Sequence, residues 1–586
     1  MTHERAGRAA RLSILALLGI SLVGLVRAIG QNSPTYDECG HIASGLHHWA
    51  TGDFEGYRVN PPLPRLLQTL PLVLLGVDPP ASGGEWASLK SGRSEWPMAR
   101  SLITEHGRLF HGVAIAARLA NIPLLIAGLW LVLRCVRLGE ARDGGGVRGP
   151  LLIAAMLFLG DPTVLAWSSF AMPDLASYVV GPLMLLAAAR AARSDTAADV
   201  ALYGAAVGIA LAVKSTWLLT LPLWWLAVVG HHVRRERSRG RLSVSGFGRL
   251  ALRSLLWAGV AWLVLCATYA FERVGQPLRS FVFASEPLRQ PWIESLRAST
   301  LGTLPVPLPY HFVKGIDVQR LDFAPAFDSY LAGETRAYGW PSWYVTVAAY
   351  KWPLLWLALL PPALASSVVR ERGAMRLVWA MPLLLFVAVS YNHQFTNHFR
   401  YVGAAYPFFH IVVARSVGRL PAKGRLLVLA MATIGYAQTL SASGNLVAYA
   451  NGLDAVIPAE RVYGLARVDS TIDYGQNLKR LADWCEANAV RLDGCEFAHF
   501  DELVAAYGLP DSYPPPEPEG VPIGPDQRAR LSTSRLRWYA LDVRTLHRTW
   551  PAPGDQAYRF AQPYAAVGRG TLVYAFADVA PSDRPD

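Results

Sequence analysis

Apolar stretches return repeatedly along this chain, and that recurrence limits its fold more than any other feature. They lie near residues 12–29, 113–133, 151–170, 175–189, 200–213, 217–229, 255–271, 343–366, 377–390, 401–413 and 426–440. About eleven such stretches, set against the ~20 residues of a bilayer crossing, predict a polytopic α-helical membrane protein. The composition agrees: 52% of the 586 residues are hydrophobic and 17% charged, too apolar for an ordinary soluble enzyme of this length. The formal charge of +12 is then read as basic membrane loops, and nucleic acid is not expected as a partner. Arg5, Arg8 and Arg11 precede the first stretch. No small-x-small cleavage site follows, so a retained helix is expected, not a signal peptide.

The loops set an orientation. Alternate connections carry Arg134, Arg137, Arg142 and Arg148; Arg190 and Arg193; Arg234, Arg235, Arg237, Arg239 and Arg241; Arg370, Arg372 and Arg376; and Arg415, Arg419, Lys423 and Arg425. The short connections at 161–174 and 391–397 carry no Lys or Arg. The positive-inside rule puts the N-terminus in the cytoplasm and the intervening loops on the far side. Residues 1–451 are read as a transmembrane domain with long extracytoplasmic loops at 30–112 and 272–340. The prolines at 61, 62 and 64 make the apolar piece at 63–77 an interfacial helix instead of a crossing. Residues 452–586 are read as a small extracytoplasmic α/β domain. It has an amphipathic helix through Leu478, Leu481 and Cys485, and short strands near 496–500, 538–543 and 571–576. Its Cys485 and Cys495, placed outside the membrane, could pair as a disulfide or stay free thiols.

The first loop holds Pro34-Thr35-Tyr36-Asp37-Glu38-Cys39-Gly40-His41, then Gly52-Asp53 and Asn60-Pro61-Pro62-Leu63. Adjacent acids point about 100° apart on a helix, so Asp37 and Glu38 are expected to have different tasks. An Asp at a membrane surface suits a general base toward a hydroxyl; a capping acid at a helix start is the plainer alternative. On a helix His41 shares a face with both acids, which permits an acid–imidazole pair or a metal site. Further along, Asp174 stands at the far-side end of an apolar stretch, where an acid is costly unless used or paired. Lys214, Lys351 and Arg400 stand at ends or interruptions of other stretches on the same face. They suit an anionic lipid phosphate, or simply snorkel.

These motifs together resemble the GT-C membrane glycosyltransferases. More narrowly they resemble glycosyltransferase family 39, the protein O-mannosyltransferase and aminoarabinose-transferase group, in a bacterial form with a C-terminal soluble domain. The resemblance runs through Met172-Pro173-Asp174, Gly208 to Lys214, Ser329 to Glu334, Lys351-Trp352-Pro353, Phe399-Arg400-Tyr401 and Asp469 to Gln476. It departs at Asn60, where those enzymes carry His or Lys, and at Tyr474, which replaces a Trp. The resemblance implies an inverting transfer of a sugar from a polyprenyl-phosphate donor to a hydroxyl of a protein, lipid or glycan acceptor, outside the cytoplasmic membrane. It implies Asp37 as base and Lys214 and Arg400 beside the leaving phosphate. Asp174, Lys351, Asn60, Glu38 and His41 are implied as substrate-binding residues. A divalent metal is left open, with Glu38 and His41 as its candidate ligands. The competing expectations are a transporter or flippase of a lipid-linked or anionic substrate, and a non-catalytic relative.

Overall fold

A computed structural model describes residues 2–81, 93–138, 148–194, 196–238, 244–322, 329–332, 334–337, 339–391, 398–453, 470–514, 537–546, 558 and 561–576. Arg142, Arg239, Arg241, Gly333, Asp469 and the 392–397 connection, all used above, lie outside the described residues.

The first helix, α1 (Thr2–Gln31), is apolar outward as well as inward. Leu25 and Ile29 are buried, while Leu12, Leu15, Val23 and Val26 are exposed. A helix apolar on both faces is suited to lipid on its outer side. Pro34 prevents its continuation, and α2 (Tyr36–Thr51) starts afresh with Thr35 as N-cap. Next, α3 (Leu63–Leu74) begins at the Pro61-Pro62 break. Its burial is inverted: Arg65, Gln68 and Thr69 face inward and Leu67, Leu70 and Leu74 outward. That is the pattern of a helix lying on protein with its apolar face toward lipid.

Three helices then follow nearly end to end: α4 (Glu95–His106), α5 (Phe110–Leu119) and α6 (Asn121–Val136). The stretch expected as one helix over 151–170 is instead α7 (Arg148–Leu159) and α8 (Pro162–Ser168), bent by 54°. The cause is local. Pro162 cannot continue α7, and Asp161 caps α8 by accepting from the Thr163 and Val164 amides at 2.8 and 3.0 Å. The other Asp161 oxygen takes Trp352 Nε1 at 2.6 Å and lies 2.9 Å from His410 Nε2. These bonds satisfy a carboxylate buried in the bundle. At the centre runs α9 (Pro173–Arg193), almost wholly buried, against α6 and α10 (Ala197–Val213).

Among the described residues, five helices are long and apolar enough to cross a membrane, Arg8–Gln31, Glu95–Val136, Pro173–Arg193, Gly246–Thr268 and Gly373–Tyr391, and the bent α7–α8 pair would make a sixth. The other expected stretches are helical but shorter, broken or less apolar. The 343–366 stretch is interrupted between Trp343–Lys351 and Leu354–Arg370 at Pro353. That at 401–413 starts as a 3-10 turn, Phe399–Ala405, before helix Tyr406–Val417.

Two short strands, β1 (Ser329–Leu331) and β2 (Glu334–Arg336), pair antiparallel. Near the C-terminus β3 (Gly494–Glu496), β4 (Trp538–Asp542), β5 (Ala565–Val567) and β6 (Thr571–Ala575) form one sheet, in spatial order β3-β4-β6-β5. The amphipathic helix expected there is Leu478–Ala487, with Leu478 and Leu481 buried. Cys485 and Cys495 are free thiols; the latter points its Sγ at the Pro510 carbonyl, 3.1 Å away.

Several helix C-termini are basic. Arg134, Arg190, Arg193, Arg235, Arg370 and Arg415 lie in last turns. Arg415 ties this end together: it forks onto Glu371 at 2.9 and 3.0 Å and donates to the Val136 carbonyl at 3.0 Å. The starts of α2 and α9 and the end of α10 gather at the other end, where the cavity lies.

Candidate active site

A cavity of about 410 Å³ opens there, lined by Asp37, His41, Asn60, Asp174, Lys214 and Arg400 among others. Helix termini place the charges. Asp37 is in the first turn of α2 and Asp174 in the first turn of α9, where the helix dipole favours an anion. Lys214 is the C-cap of α10, where it favours a cation. Arg400 comes from the 3-10 turn that opens the next helix.

The four charges form a chain. Arg400 pairs with Asp37 through one guanidinium nitrogen. Its other terminal nitrogen lies 3.9 Å from Asp174 Oδ2, and Lys214 Nζ donates to Asp174 Oδ1 at 3.0 Å. The guanidinium also lies over Trp167, 5.1 Å from its ring centre. Asp174 Oδ2, Arg400 Nε and His41 Nδ1 are buried without a hydrogen-bond partner. Such atoms cost stability unless a ligand completes them.

Burial would raise the Asp37 pKa, but the Arg400 charge overrides it and holds the carboxyl well below its usual range. Burial lowers His41, and the Arg65 charge adds to that, so its ring is neutral. It faces Tyr57, Oη to Nε2 at 3.2 Å, and Asn60 Nδ2 donates to the same hydroxyl at 3.2 Å. His398 is likewise driven neutral by burial and by Arg400.

Two of the sequence candidates sit elsewhere. Glu38 is fully buried outside the cavity lining. Arg118 Nε and Nη2 donate to its two oxygens at 2.8 Å each, the Ala171 amide donates at 2.6 Å, and the Thr35 amide closes a capping box at 3.2 Å. Its oxygens are thus committed, leaving no place for a substrate or for a metal shared with His41. Lys351 donates to the Val447 carbonyl at 2.9 Å and borders a separate small void. Arg400 and Tyr474 border the same void, so Lys351 lies beside the cavity without lining it.

The lining also includes Tyr401 and Tyr474, which lie in the motifs of the resemblance, and Tyr57, Arg93, Trp96, Gln319, His398 and Arg544, which were not anticipated. Tyr474 and Arg544 belong to the C-terminal segment, which is locked onto the start of α2. The Ser33 and Tyr36 amides donate to the Gln476 and Tyr474 carbonyls at 3.1 and 3.3 Å. Tyr36 also stacks on Phe500 at 4.4 Å.

Away from this cavity, Asp53, Glu272 and His311 bring ligand atoms within 4.8 Å of one another. They are oxygen and imidazole donors of the kind that hold a divalent cation, joining the first long loop to the second.

No protein-family model and no curated protein matches the chain. Among solved structures, it is similar to ArnT from Cupriavidus metallidurans in the apo state, at 13% identity over 85% of this chain and 84% of that one, with a TM-score of 0.45. It is also similar to the same protein bound to undecaprenyl phosphate, at 12% identity over 98% and 99% of the two chains, with a TM-score of 0.47. A third is the Archaeoglobus fulgidus oligosaccharyltransferase in complex with Zn and sulfate: 11% identity, 90% of this chain, 68% of that one, TM-score 0.38.

Proposed function

We propose that this protein is an inverting glycosyltransferase of the cell envelope. It moves a sugar from a polyprenyl-phosphate donor to an acceptor hydroxyl on the extracytoplasmic side of the bacterial cytoplasmic membrane. The observation that carries the reading is the Asp37–Arg400–Asp174–Lys214 chain, set in a cavity at the end of the bundle opposite the basic helix ends.

In this reading Arg400 has two states. With the cavity empty, its guanidinium is held by Asp37, which keeps that carboxylate ionised but a weak base. A donor phosphate entering beside Arg400 competes for the guanidinium, and the freed Asp37 regains basicity. The acceptor oxygen then attacks the anomeric carbon, and its proton passes to the Asp37 carboxylate. The bond from that carbon to the phosphate oxygen breaks, its electron pair stays on the phosphate, and the configuration inverts. Lys214 and Arg400 stabilise the charge that develops there. Asp174 holds both cations in place.

The test is transfer from radiolabelled polyprenyl-phosphate sugars in membranes carrying wild type or Asp37→Asn. Wild type is expected to transfer and the variant to lose about 10²-fold or more. Equal transfer by both would remove Asp37 as the base. Movement of the lipid across the bilayer without transfer would make the protein a transporter.

A further inference from the structure

We propose that Arg544 binds a phosphate-type oxyanion in this cavity, so that the C-terminal segment supplies part of the substrate site; this rests on the reading above only in calling the ligand a substrate. Four cations line the cavity: Arg93, Lys214, Arg400 and Arg544. Three are already matched. Arg93 Nε meets Glu95 Oε1 at 2.5 Å, Lys214 meets Asp174, and Arg400 meets Asp37 and Asp174. Among the described residues Arg544 has no carboxylate at ion-pair distance; its guanidinium lies 5.9 Å from the Tyr474 ring centroid, and its charge is felt at longer range by Asp473, His398 and His499.

Nearby acids do not fill that role. Asp542 uses Oδ1 on the Thr545 amide at 2.8 Å and Oδ2 on the Ala498 amide at 2.8 Å. Asp473 accepts from the Gly475 amide and from Asn477 Nδ2, both at 2.8 Å. Asp542 therefore fixes the short turn Val543–Leu546 on which Arg544 rides, without neutralising it. The Tyr474 ring is shared: Arg400 lies 5.6 Å from the same centroid. Two guanidinium groups against one ring, with only one of them ion-paired, leave a positive position beside Arg400. A planar fork of donors suits a phosphate or carboxylate there. Arg544 reaches the cavity from the C-terminal segment and Lys214 from the bundle, so an oxyanion between them is approached from two sides. It is either the phosphate of a lipid-linked donor or an anionic group on the acceptor.

Binding to the purified full-length protein separates these. The probes are farnesyl phosphate, inorganic phosphate and neutral farnesol, measured on wild type, Arg544→Gln and Arg544→Lys, with unliganded melting temperatures as the folding control. Arg544→Gln is expected to weaken binding of at least one phosphate probe about ten-fold, Arg544→Lys to keep most of it, and farnesol to be unaffected. Loss with farnesyl phosphate assigns the oxyanion to the lipid. Loss with inorganic phosphate alone assigns it to a water-borne acceptor group. Unchanged binding of both by a folded Arg544→Gln overturns the proposal. Because binding is read without turnover, a protein that transfers no sugar still answers the question, and an active transferase with normal Arg544→Gln binding sinks this inference alone.

Discussion

Asp37 and Glu38 are neighbours in sequence, yet one opens onto the cavity and the other is sealed beneath it. The 100° between them on α2 is enough to separate a reactive acid from a structural one. Their variants should therefore fail differently. Glu38→Gln leaves Arg118 charged and buried, which costs about 3–5 kcal/mol, and its melting temperature should drop sharply. Asp37→Asn leaves Arg400 its Asp174 contact and a half-open cavity, so it should lose less melting temperature than Glu38→Gln while losing transfer. If both melted alike, the division of labour would be wrong. Arg400 is tested by pH. Its charge lowers the Asp37 pKa, so Arg400→Gln raises it, and a base must be ionised to act. The acid limb of residual kcat/KM should move to higher pH; a limb that stays put would mean another group sets it. Part of this was legible in sequence, because a capping acid at a helix start was one of the two readings and adjacent acids on a helix must diverge. Arg118 was not. It meets Glu38 from 80 residues away, and no local spacing encodes that contact.

At the scale of elements, sequence periodicity located the helices well and their interruptions poorly. The apolar count sees Gly160-Asp161-Pro162 as three residues in a long run. The structure makes them a 54° bend, because a proline and a capping acid act together. The loop from Ile472 to Leu478 could be recognised only as a resemblance; its work is to dock on α2 and seat Tyr474. Asp473 anchors that loop. Burial and the nearby Asp542 carboxylate raise its pKa from 3.8 to about 6. Between those values the folded protein holds a proton that the unfolded chain has released, so stability falls as pH rises through this window. Wild type should lose melting temperature from pH 4 to pH 7 beyond what Asp473→Asn loses. Parallel curves for the two would mean that this acid is ionised throughout.

Over the whole molecule, the cavity and the basic helix ends occupy opposite poles, and that polarity links the fold to its chemistry. Basic ends stay with the cytoplasm. On the proposed orientation the cavity would face outward, where a flipped lipid-linked sugar would present its head. The alternation of Arg-rich and Arg-free loops is the sequence feature from which this orientation is proposed. The contribution of the C-terminal segment was not readable, since Arg544 is one arginine among many until the fold brings it beside Tyr474. Orientation can be measured directly. Reporters inserted after Ser238, at a basic end, and after Ser441, near the cavity pole, should give opposite signals. A phosphatase that works only outside the cytoplasm should be active at Ser441 and silent at Ser238, and a fluorescent protein that matures only inside should show the reverse. If instead Ser441 reports from the cytoplasm, Asp37 and Arg400 would face nucleotide-linked sugars. The lipid-phosphate donor would then lose its physical basis even if every distance in the cavity were right.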